Sequence, residues 1–250
     1  MTHFTPCALV PVYNHQQVLA QTVANIRRFG LPIILVDDGS NEQCKGVMRE
    51  LAVADAQVHL IERPVNGGKG AALKTGLQSA ARLGFSHALQ IDADGQHDSA
   101  DIPRFLQLAE TGPGTLIAGM PEYDASVPKG RLYGRYLTHV WVWINTLSLD
   151  ITDSMCGFRV YPVARSNALI AAEAMGDRMD FDTEFMVRWH WRHWPITQVS
   201  TRVIYPEQGV SHFRVWRDNK LISWMHTRLF FGMLWRLPRI LINKFRAEVA

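Results

Sequence analysis

Two carboxylates one residue apart, Asp92 and Asp94, stand where a short apolar run, Ala88-Leu89-Gln90-Ile91, comes to an end. In an extended segment residues i and i+2 project to the same side, so the pair can aim two hard oxygen ligands at one point beyond a strand. A divalent cation that also holds phosphate oxygens uses such a set, with substrate and water completing its shell. Gln96 continues the spacing and offers a neutral carbonyl oxygen. The competing explanation is an Asp-Gly turn after a strand, built from Asp94 and Gly95, because such turns are common. The pair alone does not separate the two.

The elements needed to position these residues can be traced along the chain. Apolar runs at 8–12, 32–36, 58–61, 87–91 and 115–120 read as strands. Helical periodicity fills the intervals at 16–29, 42–54, 70–83 and 99–110. Asn14 is expected to cap the first helix, and Gly30 to stop it. Short continuous apolar strands alternating with helices indicate an α/β chain with a mostly parallel sheet flanked by helices. Ligands in such sheets bind beyond the carboxyl ends of the strands. Tyr13-Asn14, Asp37-Asp38-Gly39-Ser40 and Asp92-Ala93-Asp94 all fall at such ends. Lys69 follows a glycine pair that lets backbone come close, and reads as a phosphate contact.

Beyond residue 120 the pattern changes. Residues 121–131 form a polar loop, and Leu132 to Leu149 a helix rich in large apolar residues. A second helix opens at Met179-Asp180-Phe181-Asp182 and carries Trp189, Trp191 and Trp194. Val199, Thr201, Val203 and Tyr205 alternate like a strand. From Arg214 to Arg246 there are eight arginines or lysines and one acid, Asp218, interleaved with aromatic and aliphatic residues. Such a basic amphipathic segment fits a bilayer interface, although a helix packed back on the core would carry the same pattern. Pro238 is expected to break it. The division expected is residues 1–213 as the sheet domain and 214–250 as a membrane-associating tail.

Composition narrows the class. Across 250 residues, apolar content of 47% and charge of 20% match a globular chain with a full core. A net charge of +3 gives no argument for nucleic acid. Cys7, Cys44 and Cys156 are too few and too scattered for a disulfide framework or a zinc site, as expected of a reducing cytosol. The N-terminal residues show no leader pattern, and no run of 18 or more apolar residues occurs. The expected location is cytoplasmic, peripheral on the cytoplasmic face of a membrane.

Taken in order, Pro11-Val12-Tyr13-Asn14, Val36-Asp37-Asp38-Gly39-Ser40, Asn66-Gly67-Gly68-Lys69-Gly70, Asp92-Ala93-Asp94-Gly95-Gln96 and the stretch Asp153 through Arg159 resemble the motifs of family 2 glycosyltransferases of the GT-A (Rossmann-like) fold. Within them the chain is most similar to the polyprenyl-phosphate (dolichol-phosphate) sugar synthases. The resemblance implies that Pro11, Tyr13, Asn14, Asp38, Lys69, Asp92, Ala93, Asp94 and His212 bind a UDP- or GDP-sugar donor. It further implies that Asp92, Asp94 and Gln96 hold Mg²⁺ or Mn²⁺, and that Arg131 and Arg159 lie on the acceptor side. The chain departs from the pattern at His15, where glutamate is usual, at Met155-Cys156, which replaces a Thr-Ser pair, and at His212, where lysine is common.

The chemistry implied is displacement at a sugar carbon with a nucleoside diphosphate leaving. A cation on Asp92 and Asp94 would neutralise the charge that develops, and Lys69, Arg131 and His212 would add positive charge. No nucleophilic cysteine or serine stands out at this edge, so inversion is expected. A lipid phosphate acceptor needs arginine and no base, which makes Arg131 and Arg159 its partners. A hydroxyl on a lipid or pigment needs a carboxylate base, for which Asp182 precedes Glu184. Either acid can instead serve the dipole of the helix it opens. Two rival functions remain: a nucleotidyltransferase, expected to begin with a glycine-rich loop where Pro11-Val12-Tyr13-Asn14 stands here, and a non-catalytic lipid-binding module, against which the intact Asp92/Asp94 pair argues.

Overall fold

Five of the strands arise where the apolar runs foretell them. The computed structural model describes residues 3–122, 129–203 and 214–249, with backbone alone at 129–132 and 243–249. The first half alternates β1 (Pro6–Val12), α1 (Leu19–Arg27), β2 (Ile33–Asp37), α2 (Glu42–Ala54), β3 (Val58–Glu62), α3 (Lys69–Arg82) and β4 (His87–Gln90). A 3₁₀ turn at Ser99–Asp101 leads into α4 (Ile102–Thr111), followed by β5 (Leu116–Glu122). The rest comprises α5 (Lys129–Thr146), β6 (Arg159–Pro162), α6 (Val163–Ala172), α7 (Phe181–Trp191), β7 (Ile196–Arg202) and α8 (Val215–Val249).

The strands form one seven-stranded sheet in the order β3-β2-β1-β4-β6-β5-β7. Pairings β2–β3, β1–β2, β1–β4 and β5–β7 are parallel. β6 runs antiparallel to both its neighbours, with Arg159 opposite Gln90 of β4 and Ala118 of β5. Each face buries its own core. One holds Leu9, Ile34 and Leu77 with the aromatic side of α7, and the other holds Val10, Leu35, Phe105 and Phe158. All five residues of β2 are buried, which is why it reads as a continuous apolar run rather than an alternating one.

Four local expectations need correction. Asn14 does not cap α1: it sits at φ +56 in a tight turn, and α1 begins at Leu19 with no side-chain cap. The Asn14 side chain instead accepts from Asn41 N (2.8 Å), and Asn41 caps α2 by accepting from Cys44 N. Trp194 lies past the end of α7, which stops at Trp191 ahead of the turn at His193. Pro238 does not break α8, whose helix runs through it. Both Pro238 and Leu234, whose carbonyl loses its partner, lie on the exposed side, where water can satisfy that oxygen. Finally, β6 and α6 were not foreseen, and Tyr205 lies outside the described residues.

α8 packs one face on the body. Met225, Leu229, Met233 and Ile240 are buried, Arg228 reaches Glu184 (3.1 Å), and the Arg236 guanidinium lies 4.6 Å from the centre of the Trp191 ring. Among the described residues no helix is long and apolar enough to cross a membrane.

Candidate active site

β1, β2 and β4 run parallel, so the turns that follow them gather on one edge of the sheet. Tyr13 and Asn14 come after β1, Asp38 after β2 and Asp92, Ala93 and Asp94 after β4. Pro11 is in β1 itself, paired with Val36. The turns are tied to each other: Asn14 N donates to Ser40 Oγ (3.1 Å), and Ser40 N donates to Asp37 Oδ1 (2.8 Å).

Asp38 is buried and already occupied. Its two carboxylate oxygens accept from Gly67 N (3.0 Å) and Gly68 N (2.7 Å), and the Arg63 guanidinium lies 3.4 Å away. Burial still raises its carboxyl above the usual range, against the lowering effect of the two amides. The geometry thus makes Asp38 the clamp on the loop that carries Lys69. Gly68 opens α3 at φ +104, and a Cβ there would meet Arg178 Cγ at 2.5 Å and Asp177 O at 2.6 Å. Only glycine fits.

Lys69 reaches from the start of α3 into a cluster of acids. Its Nζ lies 2.9 Å from Asp92 Oδ2 and 3.0 Å from Asp182 Oδ2. Burial works to lower its pKa, but the charges of Asp182 and Asp92 outweigh it and hold the ammonium protonated. Asp92 is braced on its other oxygen by Gln90 Nε2 (3.0 Å), whose Oε1 accepts from Tyr161 OH (2.9 Å). Burial would raise the Asp92 carboxyl, yet Lys69 and His97 carry it well below the usual range. Asp94 goes the other way: burial first, then the negative charge of Asp92, raise it. Its Oδ1 accepts from Gln96 N (3.0 Å). Gly157 lies so close that a Cβ would fall 2.1 Å from Asp92 Oδ2, so the 153–159 motif presses its backbone onto the carboxylate.

Asp92, Asp94, Gln96, His97 and Arg135 line one cleft, closed on the far side by the 155–157 backbone. The donor set fits a divalent cation. Two carboxylates and an amide oxygen are hard oxygen ligands, and the Asp94 carboxyl, raised by burial first and then by the charge of Asp92, would gain from a cation beside it.

Arg159 departs from expectation. It is fully buried, and its guanidinium donates to three backbone carbonyls: Cys156 O (2.8 Å), Asp182 O (2.9 Å) and Ser154 O (2.7 Å). With its donors turned inward it cannot grip an acceptor phosphate; it fastens the 153–159 motif to the start of α7. The arginine on the cleft is Arg135, paired with both oxygens of Asp153 (2.5 and 2.8 Å). Arg131 lies one turn earlier in α5, with a side chain outside the described residues, as is His212.

Asp182 joins the cluster through Lys69 but is only 5% exposed, and its Oδ1 has no hydrogen-bond partner. Glu184 points away, to Gly176 N, Arg188 and Arg228. Cys156 offers no nucleophile, since burial and the Asp153 charge push its thiol up to about 12. Sequence reasoning assigned no role to Gln90, Tyr161, His97 or Arg135. A glutamine inside a buried strand beside Asp92 was the available signal, because a buried amide needs partners. His97, stacked on Phe158 with its Nε2 3.8 Å from Asp92 Oδ2, followed Gln96 directly.

Comparison with known proteins agrees with this geometry. The model of the family named Glycosyl transferase family 2 matches residues 7–170. The polyprenol monophosphomannose synthase of Mycolicibacterium smegmatis is 29% identical over 167 residues, which span 61% of this chain and 60% of that protein. The undecaprenyl-phosphate mannosyltransferase of Micrococcus luteus is 27% identical over 192 residues, 71% of this chain and 75% of that one. A mannosyltransferase from Pyrobaculum calidifontis, solved with GDP-Man and Mn²⁺, superposes with a TM-score of 0.58 at 14% identity, covering all of this chain and 76% of that one. With its sheet order, its carboxyl-edge acids and a family match over most of its length, the chain belongs to glycosyl transferase family 2 and has the GT-A fold.

Proposed function

We propose that the protein is a metal-dependent, inverting transferase that moves a sugar from a UDP- or GDP-sugar to a polyprenyl phosphate. The observation that carries this reading is the half-buried Asp92/Asp94 pair, lining one cleft at the edge of a parallel sheet, with Lys69 bonded to Asp92 alone of the two. Asp92, Asp94 and Gln96 are the residues that would hold Mg²⁺ or Mn²⁺. When bound, the cation supplies neutralisation of the charge that grows on the departing nucleoside diphosphate. Relatives named for polyprenol and undecaprenyl-phosphate acceptors support the acceptor class.

The chain's own residues divide the work as follows. Gln90, held by Tyr161, fixes the rotation of the Asp92 carboxylate. Lys69 keeps Asp92 ionised, pairs with Asp182 (3.0 Å), and sits where a diphosphate oxygen would draw near. The turns at Tyr13 and Asn14 border the donor side, with Asp38 acting through the Lys69 loop. Arg135 lines the cleft while held by both oxygens of Asp153, and so acts on an acceptor phosphate as a fixed positive charge, the phosphate attacking without a general base. With Cys156 protonated and buried, that thiol does not compete as a nucleophile, which favours direct displacement. A hydroxyl acceptor would need a free carboxylate, and the pairing of Asp182 with Lys69 weighs against that reading.

The test incubates the protein with UDP- and GDP-sugars, a polyprenyl phosphate and Mn²⁺, and measures nucleoside diphosphate release and product lability. The expected product is a glycosyl phosphate cleaved by mild acid, formed only with the metal. Full turnover in chelator, or a product that resists mild acid, overturns the proposal.

A further inference from the structure

Two helices outside the candidate site leave large apolar side chains in the open. On α8, Trp216, Trp224, Phe231 and Trp235 recur at helical spacing and are 91, 60, 65 and 86% exposed. They lie opposite the buried row of Met225, Leu229 and Met233, so α8 has two apolar faces and the body covers one. On α5, Tyr133, Tyr136 and Leu137 are exposed in the same manner, with Trp141 and Ile144 continuing the stripe. The helices are in contact, and rings bridge them: Trp141 of α5 lies 6.3 Å from Phe230 and 5.9 Å from His226 of α8. Scattered exposed apolar residues are ordinary, but a continuous aromatic surface across two packed helices marks an interaction site.

The charges around it select the partner. Arg214, Arg217, Lys220 and Arg239 on or beside α8 are exposed. Asp218 is buried, and its carboxylate accepts from Arg214 N (2.6 Å), which removes that acid from the surface. The α5 sequence contains no acid at all. Exposed tryptophans and tyrosines in a basic setting suit the headgroup boundary of a bilayer, where a ring finds apolar contact at one end and water at the other.

We propose that the exposed faces of α5 and α8 together form one surface that lies on an anionic lipid bilayer. The surface leads toward the candidate site, because α5 also carries Arg135, one of the residues that line the cleft with Asp92 and Asp94. A lipid phosphate would therefore enter along α5. That last step rests on the acceptor proposed above, whereas bilayer binding does not, so the two can fail separately.

The experiment uses the full chain, without donor or metal, and vesicles of phosphatidylcholine with or without phosphatidylglycerol. Expected is sedimentation with the anionic vesicles, weakening as salt rises, with little on neutral ones. The pair Phe231→Ser and Trp235→Ser should lower partitioning by about tenfold or more. Tyr136→Ser with Leu137→Ser should lower it as well, which a surface made by α8 alone would not show. Val53→Ser, exposed on α2, is the control expected to bind as the parent does. Circular dichroism confirms that each variant is folded. Binding unaffected by either double substitution, equal binding to neutral vesicles, or dimers held by these residues in place of vesicle binding would overturn the proposal.

Discussion

The carboxyl edge of the parallel half and the β6–α7 region that follows both bury charge, and they use it differently. At the edge, Lys69 bridges Asp92 and Asp182, and Asp92 and Asp94 line a cleft in which burial, then the charge of Asp92, raises the Asp94 carboxyl. A few ångströms along the sheet, Arg159, Glu184, Glu173, Arg188 and Arg228 are closed into pairs or spent on carbonyls. The first arrangement leaves carboxylates facing a cleft, as the proposed cation site requires. The second spends its charge on holding a loop and three helices in place. A charged residue in a motif is therefore not evidence of contact with substrate; what matters is whether its bonding capacity is already filled.

The largest effect expected from breaking this contrast is at Asp94. Asp94→Asn keeps the shape and removes the charge, and should lower turnover by about a hundredfold or more with unfolding behaviour unchanged. Sugar-transfer assays beside a urea titration decide it. A folded variant with full turnover would show that the edge does not work as described.

Arg159→Ala probes the other side of the comparison. It strands three buried carbonyls and leaves a void, with an expected stability loss of about 3–5 kcal/mol. Arg135→Gln, on the cleft, breaks the pair that holds the buried Asp153 and should cost stability too, but it should in addition raise the acceptor KM. If Arg159→Ala unfolds like the parent while only acceptor use suffers, the division between binding charge and bracing charge fails.

A pH titration sharpens it further. His226 sits between α5 and α8 against Asn145 (3.2 Å), and burial lowers its pKa to about 4. The unfolded chain takes up this proton near pH 6.5, so the native state loses stability as pH falls from there to about 4, by about 2–3 kcal/mol. His226→Gln should flatten that part of the curve measured by denaturant unfolding. Parallel curves for the two proteins would remove the group from the account.

The smallest effect is expected at the α2 cap. Asn41→Ala removes one side-chain bond to Cys44 N, and thermal melts should show a loss of about 1 kcal/mol with turnover close to the parent. A large drop in donor affinity would instead place Asn41, and through it Asn14, in direct service of the nucleotide.

Much of the first half was legible because its strands are continuous apolar runs and its special residues all follow strand ends. β6 was not, since four residues beginning with arginine show neither alternation nor an apolar run. The burial of Arg159 was hidden for the same reason: its partners are carbonyls, which sequence does not distinguish. Asn14 was read as a cap because Asn favours caps, but it equally tolerates the left-handed turn it occupies. Pro238 was read as a breaker because sequence does not show that its helix face meets water. The packing of α8 came with a pattern that suited core and bilayer alike, and only the structure separates its two faces.

The reversed direction of β6 has a consequence for how this chain tolerates insertions and deletions. Arg159 is paired at once with Gln90 and Ala118, so the strand is pinned in register on both sides. Asp153 is pinned in turn by Arg135, and Gly157 by the Asp92 carboxylate. A single residue gained or lost between 153 and 159 would have to slip the strand, which moves Arg159 to the opposite core of the sheet, away from the carbonyls it bonds, or bulge against Asp92. The stretch is thus expected to vary in composition, as Met155-Cys156 already does, while its length stays fixed.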